Sequence, residues 1–347
     1  MKNLISDQTH LLSGPLHIAF EVTNKCMARC LHCYNRSGNK LIRKELSDEE
    51  FLKVIDQIVE VKPFSICYCG GEPLMRFDLL IEATRRLKKG GVRHVMVVTN
   101  GWLITQEKVN QLEEVGISGI QISLDGSNSD THDFLRGMKG MYQRAVSAIE
   151  MCSQSKMDIT IAFSPTKFNI HQFPEVVKIA SSFKNLKSVR VQPLMPMGNA
   201  ISFTKELLPS EEQYRQIVRF IENYNYRKIA YPLIEWGDPL DHLRRYIQLS
   251  FQQISFIEIK SEGFLSVSSY LPLRVGDLKK YSLKNYWNAG LGKIWSLPIV
   301  QQLAEQILCI EDLGSEKKDT PSTYYDDDIF IDIFEENTFN VLIEKKA

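Results

Sequence analysis

The chain has 347 residues, longer than one hydrophobic core ordinarily serves, so about two domains are expected. Hydrophobic residues make up 44% and charged residues 24%, with 19 Gly and 13 Pro, which excludes a disordered, collagenous or disulfide-stapled chain. The 42 basic and 42 acidic residues cancel, so nothing points to nucleic acid or an anionic membrane surface, and no apolar run reaches the ~18 residues of a membrane helix.

Asp7 and His10 interrupt the only N-terminal stretch that could serve as a signal-peptide core, so a cytoplasmic protein is expected. From there two periods alternate. Residues 15–22 form a short apolar run. Ser47 with Glu50 makes a capping box for a helix whose Phe51, Val54, Ile55, Ile58 and Val59 share one face. A second strand is expected at 64–69, a helix at 77–89 and a β-branched strand at 92–99. Then follow a helix at 106–115, a strand at 117–124, a helix at 142–152, a strand at 158–164, a helix at 173–183 and a sixth strand at 188–194. Six strands alternating with helices imply parallel βαβ units, in an open doubly wound sheet or a barrel, whole or partial. In each case chemistry is expected where strands lead into helices.

After about residue 205 the alternation stops. Ser210 with Gln213 caps a helix, 238–248 reads as another, and 256–260 with 264–268 reads as a hairpin around Ser261-Glu262-Gly263. Residues 283–307 are helical with interruptions at Gly290, Gly292 and Pro298, and the last segment interleaves Asp326, Asp327, Asp328, Asp332, Glu335 and Glu336 with Ile and Phe, as a short strand pair or an acidic tail.

Seven Cys is an odd number, and Cys26, Cys30 and Cys33 fall within eight residues in the loop after strand one. In a reducing compartment such a cluster suggests metal or redox chemistry. Three thiolates on one loop can ligate three irons of a four-iron cluster and leave the fourth open. Zinc is the alternative, although His32 adjoins Cys33 in a poor geometry for one ion; a chance group of buried thiols is the other.

Three further motifs follow in order: Gly70-Gly71-Glu72-Pro73 after strand two, Thr99-Asn100-Gly101 after strand three and Ser123-Leu124-Asp125-Gly126 after strand four. With the CxxxCxxC loop, residues 15–200 resemble the radical S-adenosylmethionine (SAM) superfamily. The resemblance implies an α/β partial (β/α)6 barrel at 1–205, with one [4Fe-4S] cluster on Cys26, Cys30 and Cys33 and SAM chelating the open iron. It further implies that Glu72 accepts a hydrogen bond from the SAM amino group while Gly70 and Gly71 let the backbone come close. Ser123 and Arg136 would hold its ribose and carboxylate, Arg136 being otherwise a solvated surface charge; Tyr34 and Leu194 would border its adenine, Tyr34 being otherwise core; and Gly198 would permit a close turn. Asn100 either faces the ligand or caps the turn that Gly101 completes.

Residues 206–310 resemble, more weakly, the smaller α+β SPASM or twitch extension of peptide-modifying members, with 311–347 an acidic tail. The extension's auxiliary clusters need several Cys; here Ser268 stands where a ligand is expected and Cys309 is alone. Trp236, Trp287 and Trp295 either line a substrate cleft or pack in the core. The layout implies a ribosomally made peptide as substrate, the alternatives being a small molecule of cofactor biosynthesis or a non-catalytic cluster sensor. A one-electron donor such as a flavodoxin or ferredoxin is implied. Because strand one begins almost at once, a leader peptide is expected to be recognised by a separate protein or to bind the C-terminal domain directly. Cys67 and Cys69 alternate with Tyr68 on strand two, so both thiols face the barrel or both face the helices. In the first case Cys69 could return a hydrogen atom to a substrate radical; in the second both are small buried hydrophobes.

Overall fold

A computed structural model describes residues 12–38, 44–226, 231–249, 253–313 and 328–334. Its frame is β1 (His17–Thr23), α1 (Asp48–Val61), β2 (Ser65–Gly70), α2 (Phe77–Lys89), β3 (His94–Thr99), α3 (Gln106–Val115), β4 (Gly119–Ser123), α4 (Ser129–Arg136), α5 (Met141–Ser153), β5 (Asp158–Phe163), α6 (Phe173–Ser181) and β6 (Leu186–Val191). The six expected strands and the helices between them are present. Sequence reasoning overlooked α4, a polar helix of only two turns that Asn128 caps by accepting the Thr131 N–H.

Adjacent strands from β1 to β6 pair in parallel, in chain order. Alternation divides each strand between two environments. Ile18, Phe20, Ile66, Tyr68, Val95, Val97, Ile120 and Ile122 are buried against the helices, the outer ring of an α/β core. The alternate positions, among them Cys69, Val98, Gln121, Ser123, Ala162 and Arg190, line the concave face. In α1 the capping box forms as expected, with Ser47 and Glu50 exchanging side-chain and backbone hydrogen bonds.

Past β6 lie α7 (Thr204–Leu207), α8 (Glu211–Tyr226), β7 (Leu233–Trp236), α9 (Asp241–Gln248), β8 (Phe256–Ile259), β9 (Phe264–Ser266), β10 (Leu273–Arg274), β11 (Gly276–Asp277), α10 (Leu283–Asn288), α11 (Pro298–Glu305) and β12 (Ile329–Phe330). Strand β7, too short to carry a period, joins β6 in parallel. At the other edge β8 joins β1 in parallel, and the expected hairpin of β8 and β9 extends the sheet to ten strands, β11-β9-β8-β1-β2-β3-β4-β5-β6-β7. The barrel is therefore partial. β7 and β11 end the sheet without pairing to each other, and the C-terminal hairpin continues the barrel's own sheet at β1. Trp287 and Trp295 are buried in the core, and neither they nor Trp236 border the concave cavities. Within the acidic C-terminal segment β12 pairs in parallel with β10; Asp326, Asp327, Glu335 and Glu336 lie outside the described residues.

Candidate active site

The C-terminal ends of the strands and the cysteine loop enclose a cavity of about 280 Å³. Cys26, Cys30 and Cys33 all line it, together with Tyr34, Cys69, Gly70, Gly71, Asn100, Ser123 and Arg136. Backbone bonds fix the loop in place. Arg29 and Leu31 donate their N–H groups to the carbonyls of Arg136 and Leu135 at the end of α4, at 3.1 and 2.9 Å. On the other side Asn199 donates its N–H to the Cys33 carbonyl at 2.9 Å and its side-chain amide to the Cys30 carbonyl at 3.1 Å. Sequence reasoning missed Asn199, although it directly follows Gly198 in a stretch singled out for its closeness to the site.

Burial pushes the Cys26 and Cys30 thiols up to about 11 and also raises Cys33. Left alone they are protonated, so their use as ligands requires a cation to offset the cost of the thiolates. Donors are already placed for that charge: Asn100 Nδ2 lies 3.7 Å from Cys26 Sγ and Arg136 Nη1 3.8 Å from Cys30 Sγ. No three His, Cys, Asp or Glu side chains among the described residues converge on the position of a single ion. A four-iron cluster, which gives each thiolate its own iron, fits three thiols spread along one cavity wall.

The turn after β2 runs beside the loop's root. Gly71 donates its N–H to the Thr23 carbonyl at 2.7 Å, and Glu72 to the Lys25 carbonyl at 2.9 Å. A Cβ on Gly71 would lie 2.2 Å from the Lys25 carbonyl oxygen, so only glycine fits. Glu72 itself is wholly buried and does not border the cavity. Its carboxylate accepts hydrogen bonds from Leu74 N–H, Thr99 Oγ1 and Asn100 N–H at 3.1, 2.8 and 2.8 Å, and burial raises its pKa. Asn100 caps the turn, its side chain accepting the Trp102 N–H, while its amide points to Cys26 and Met27.

Arg136 is paired rather than solvated. Its guanidinium lies 2.5 Å from the Asp125 carboxylate, which also takes His32 Nε2 at 3.1 Å and the Ser164 N–H at 2.8 Å. These partners, chiefly the Arg136 charge, hold Asp125 well below the usual carboxylate range against the opposing effect of burial. The Asp125 N–H donates to His132 Nδ1, and burial lowers His132 to about 4, so that imidazole is a neutral acceptor. Sequence reasoning placed Asp125 in the motif after strand four and missed His132.

One expected residue falls elsewhere. Leu194 packs with Leu135, Ala200 and Leu207 in a separate apolar cluster, while its neighbours Pro193 and Met195 line the cavity. Sequence reasoning also missed Gln121, Arg190 and Gln192, polar residues set among apolar ones on β4, β6 and the segment after it.

A model of the radical SAM superfamily matches residues 20–180. The chain carries a radical SAM domain. Proteins with this domain use a [4Fe-4S] cluster and S-adenosylmethionine, and the chain has homologues among SPASM and twitch maturases. It is 27% identical to an AdoMet-dependent heme synthase of Methanosarcina barkeri, over 80% of this chain and 83% of the relative. It is 32% identical to mycofactocin maturase MftC of Mycolicibacterium smegmatis over 59% of this chain and 51% of that protein; against several such relatives the match spans about half their length. Among solved structures, Streptococcus suis SuiB bound to S-adenosylmethionine superposes with a TM-score of 0.67 at 16% identity, covering 91% of this chain and 77% of SuiB. No helix among the described residues is long and apolar enough to cross a membrane.

Proposed function

We propose that this protein cleaves SAM reductively at a [4Fe-4S] cluster on Cys26, Cys30 and Cys33 and uses the 5′-deoxyadenosyl radical to modify a ribosomally synthesised peptide, by cross-link, epimerisation or similar change. The observation that carries the reading is the enclosure of those three thiols in one cavity with the ends of β2, β3 and β4. When bound, the cluster supplies the electron that breaks the sulfur–carbon bond of SAM. The chain's part is to place and shield the reactants. Gly70 and Gly71 let the protein backbone come close to the ligand, Ser123 and Arg136 offer donors to its ribose and carboxylate, and Tyr34 borders its ring. Glu72 acts from behind the wall by fixing Thr99 and Asn100, and one remaining lone pair could receive the SAM amino group.

The peptide reading draws on a relative whose name records that class, the PqqA peptide cyclase of Bradyrhizobium diazoefficiens at 24% identity. Against it stands the likeness to heme synthases, so a small-molecule substrate is the second reading. A one-electron donor such as a flavodoxin or ferredoxin and a separate leader-recognition protein complete the proposal. All seven cysteines are free, as a reducing cytoplasm would keep them.

The test is anaerobic incubation of reconstituted protein with SAM and dithionite. Formation of 5′-deoxyadenosine that disappears when Cys26, Cys30 and Cys33 are all changed to Ala supports the reading. A cluster-loaded protein that forms none is a sensor, and cleavage surviving in the triple variant overturns the ligand assignment.

A further inference from the structure

A second cavity, also of about 280 Å³, adjoins the first, and Arg190 and Gln192 line both. Its far wall comes from α9 and from the segment after β9. The other charges of the two cavities are matched. Arg245 pairs with Asp241, Arg244 takes Asp238 at 3.1 Å, and Arg136 is held by Asp125. His242, bonded to Ser268 Oγ at 2.8 Å, is lowered by burial to about 4 and is neutral.

Arg190 differs. It stands on β6 with its side chain exposed on the concave face, and no hydrogen bond or ion pair joins its guanidinium to any described residue. Glu235 is its register partner on β7 yet makes no ion pair with it. Beside Arg190, Gln192 is held by Tyr270, its amide donating to the phenol oxygen at 2.8 Å. On the other side Ala162, Phe163 and Met195 give the first cavity an apolar wall.

A guanidinium on a cavity wall without a counter-charge is a seat for an anion, and its planar fork matches a carboxylate with two parallel bonds. One cation balances one carboxylate; a phosphate dianion would be left with excess charge. We propose that Arg190 holds a carboxylate of the substrate at the junction of the two cavities, so that the carbon chain bearing it extends along the apolar wall toward the cysteine loop. This rests on the reading of the first cavity as the SAM site. The carboxylate belongs either to an acidic side chain of a peptide or to a small organic acid.

The test measures binding to cluster-loaded protein with SAM present and no reductant, so that the SAM carboxylate is already in place and nothing turns over. The peptide arm compares acetyl-Ala-Glu-Ala-amide with acetyl-Ala-Gln-Ala-amide; the small-acid arm compares 3-phenylpropionate with 3-phenylpropanamide. The charged member of at least one pair is expected to bind about tenfold tighter or more. That preference should vanish in Arg190→Gln and persist in part in Arg190→Lys, and the arm that shows it names the source. Equal binding within both pairs by the unaltered protein overturns the proposal without recourse to any variant. So does a preference that survives in Arg190→Gln, or a weakening of SAM binding there without loss of preference. Assaying 5′-deoxyadenosine formation by the unaltered protein separately shows whether a failure lies with Arg190 or with the SAM reading itself.

Discussion

The carboxylate of Glu72 accepts the backbone N–H of Asn100 at 2.8 Å, joining the turn after β2 to the turn after β3 across 28 positions of sequence. Thr99 Oγ1 donates to the same carboxylate at 2.8 Å, and Asn100 in turn points its amide at Cys26. A single buried acid therefore braces two strand ends and, through Asn100, one of the three loop cysteines.

Removing one partner of a buried charged hydrogen-bond set leaves the others unsatisfied, at a cost of about 2 kcal/mol or more. Glu72→Ala should lower both thermal stability and SAM affinity, because Asn100 loses its anchor. Arg136→Ala should weaken SAM binding and also leave Asp125 buried without its main counter-charge. Calorimetric titration with SAM and a melting curve for each variant would check this. SAM affinity unchanged in both would remove the two residues from the binding site.

Gly198 lies far along the chain from the cysteine loop but packs against it. Its φ is +58°, and a Cβ there would come within 2.4 Å of the Tyr34 carbonyl oxygen and 2.6 Å of that of Cys33. Both obstacles are backbone, so the loop itself would have to move. The left-handed conformation alone costs a residue with a Cβ about 1–2 kcal/mol. Gly198→Ala is expected to reduce the iron retained after reconstitution although no ligand is altered. Full iron content in a folded variant would show that the loop tolerates the shift.

The α/β alternation and the motif order were readable because they rest on local signals, namely caps, periodicity and a thiol cluster. What escaped depends on contacts remote in sequence. Strand β7 spans four residues and acquires its identity by pairing with β6. The union of β8 with β1 joins segments some 240 residues apart, and no local pattern announces it. Arg190 carries no local signal, because the cavity wall it stands on is formed by the curvature of the sheet. Leu194 was assigned to the wall from its position in a motif, while it packs against Leu135, Ala200 and Leu207, residues remote from it in sequence or beyond the sheet.

A single four-iron cluster should be the chain's whole complement, giving about four irons per molecule. Cys309 is exposed and has Asp312 beside it, and Ser268 is bonded to His242, so the C-terminal part brings no second set of thiols among the described residues. Iron and sulfide analysis with Mössbauer spectroscopy would check it. About eight irons in defined clusters would require ligands from Cys67, Cys69, Cys152 or Cys309.

Inside the sheet, Lys260 lies 3.0 Å from both Glu21 and Glu258, and all three are buried. Burial, with the neighbouring carboxylates, outweighs the Lys260 charge and raises Glu21 to about 7. A carboxyl with a raised folded-state pKa binds its proton more tightly in the native state. Between the unfolded value near 4.5 and about 7, stability therefore falls as pH rises. Relative to Glu21→Gln, the unaltered protein should lose stability as pH rises over that window. Urea unfolding at pH 5 and pH 8 reads the difference, and parallel pH profiles for the two proteins would place the titration elsewhere.

Cys69 lines the cavity, and Cys67, two positions earlier on β2, shares its face while Tyr68 packs beneath the helices. Both thiols therefore face the barrel. Burial holds the Cys69 pKa well above that of a free thiol, so it keeps its hydrogen. If a substrate radical forms in the cavity, transfer of that hydrogen atom would give closed-shell product and a thiyl radical on Cys69. One electron from the external donor and one proton from solvent would then restore the thiol. Because a thiol proton exchanges with water, the product made in deuterium oxide should carry deuterium at the reacting carbon. In Cys69→Ala, deuterium incorporated per 5′-deoxyadenosine formed should fall to background, and mass spectrometry of the product gives that ratio directly. A variant whose product is still fully labelled would assign Cys69 to packing and send the search for the donor to another residue of the cavity wall.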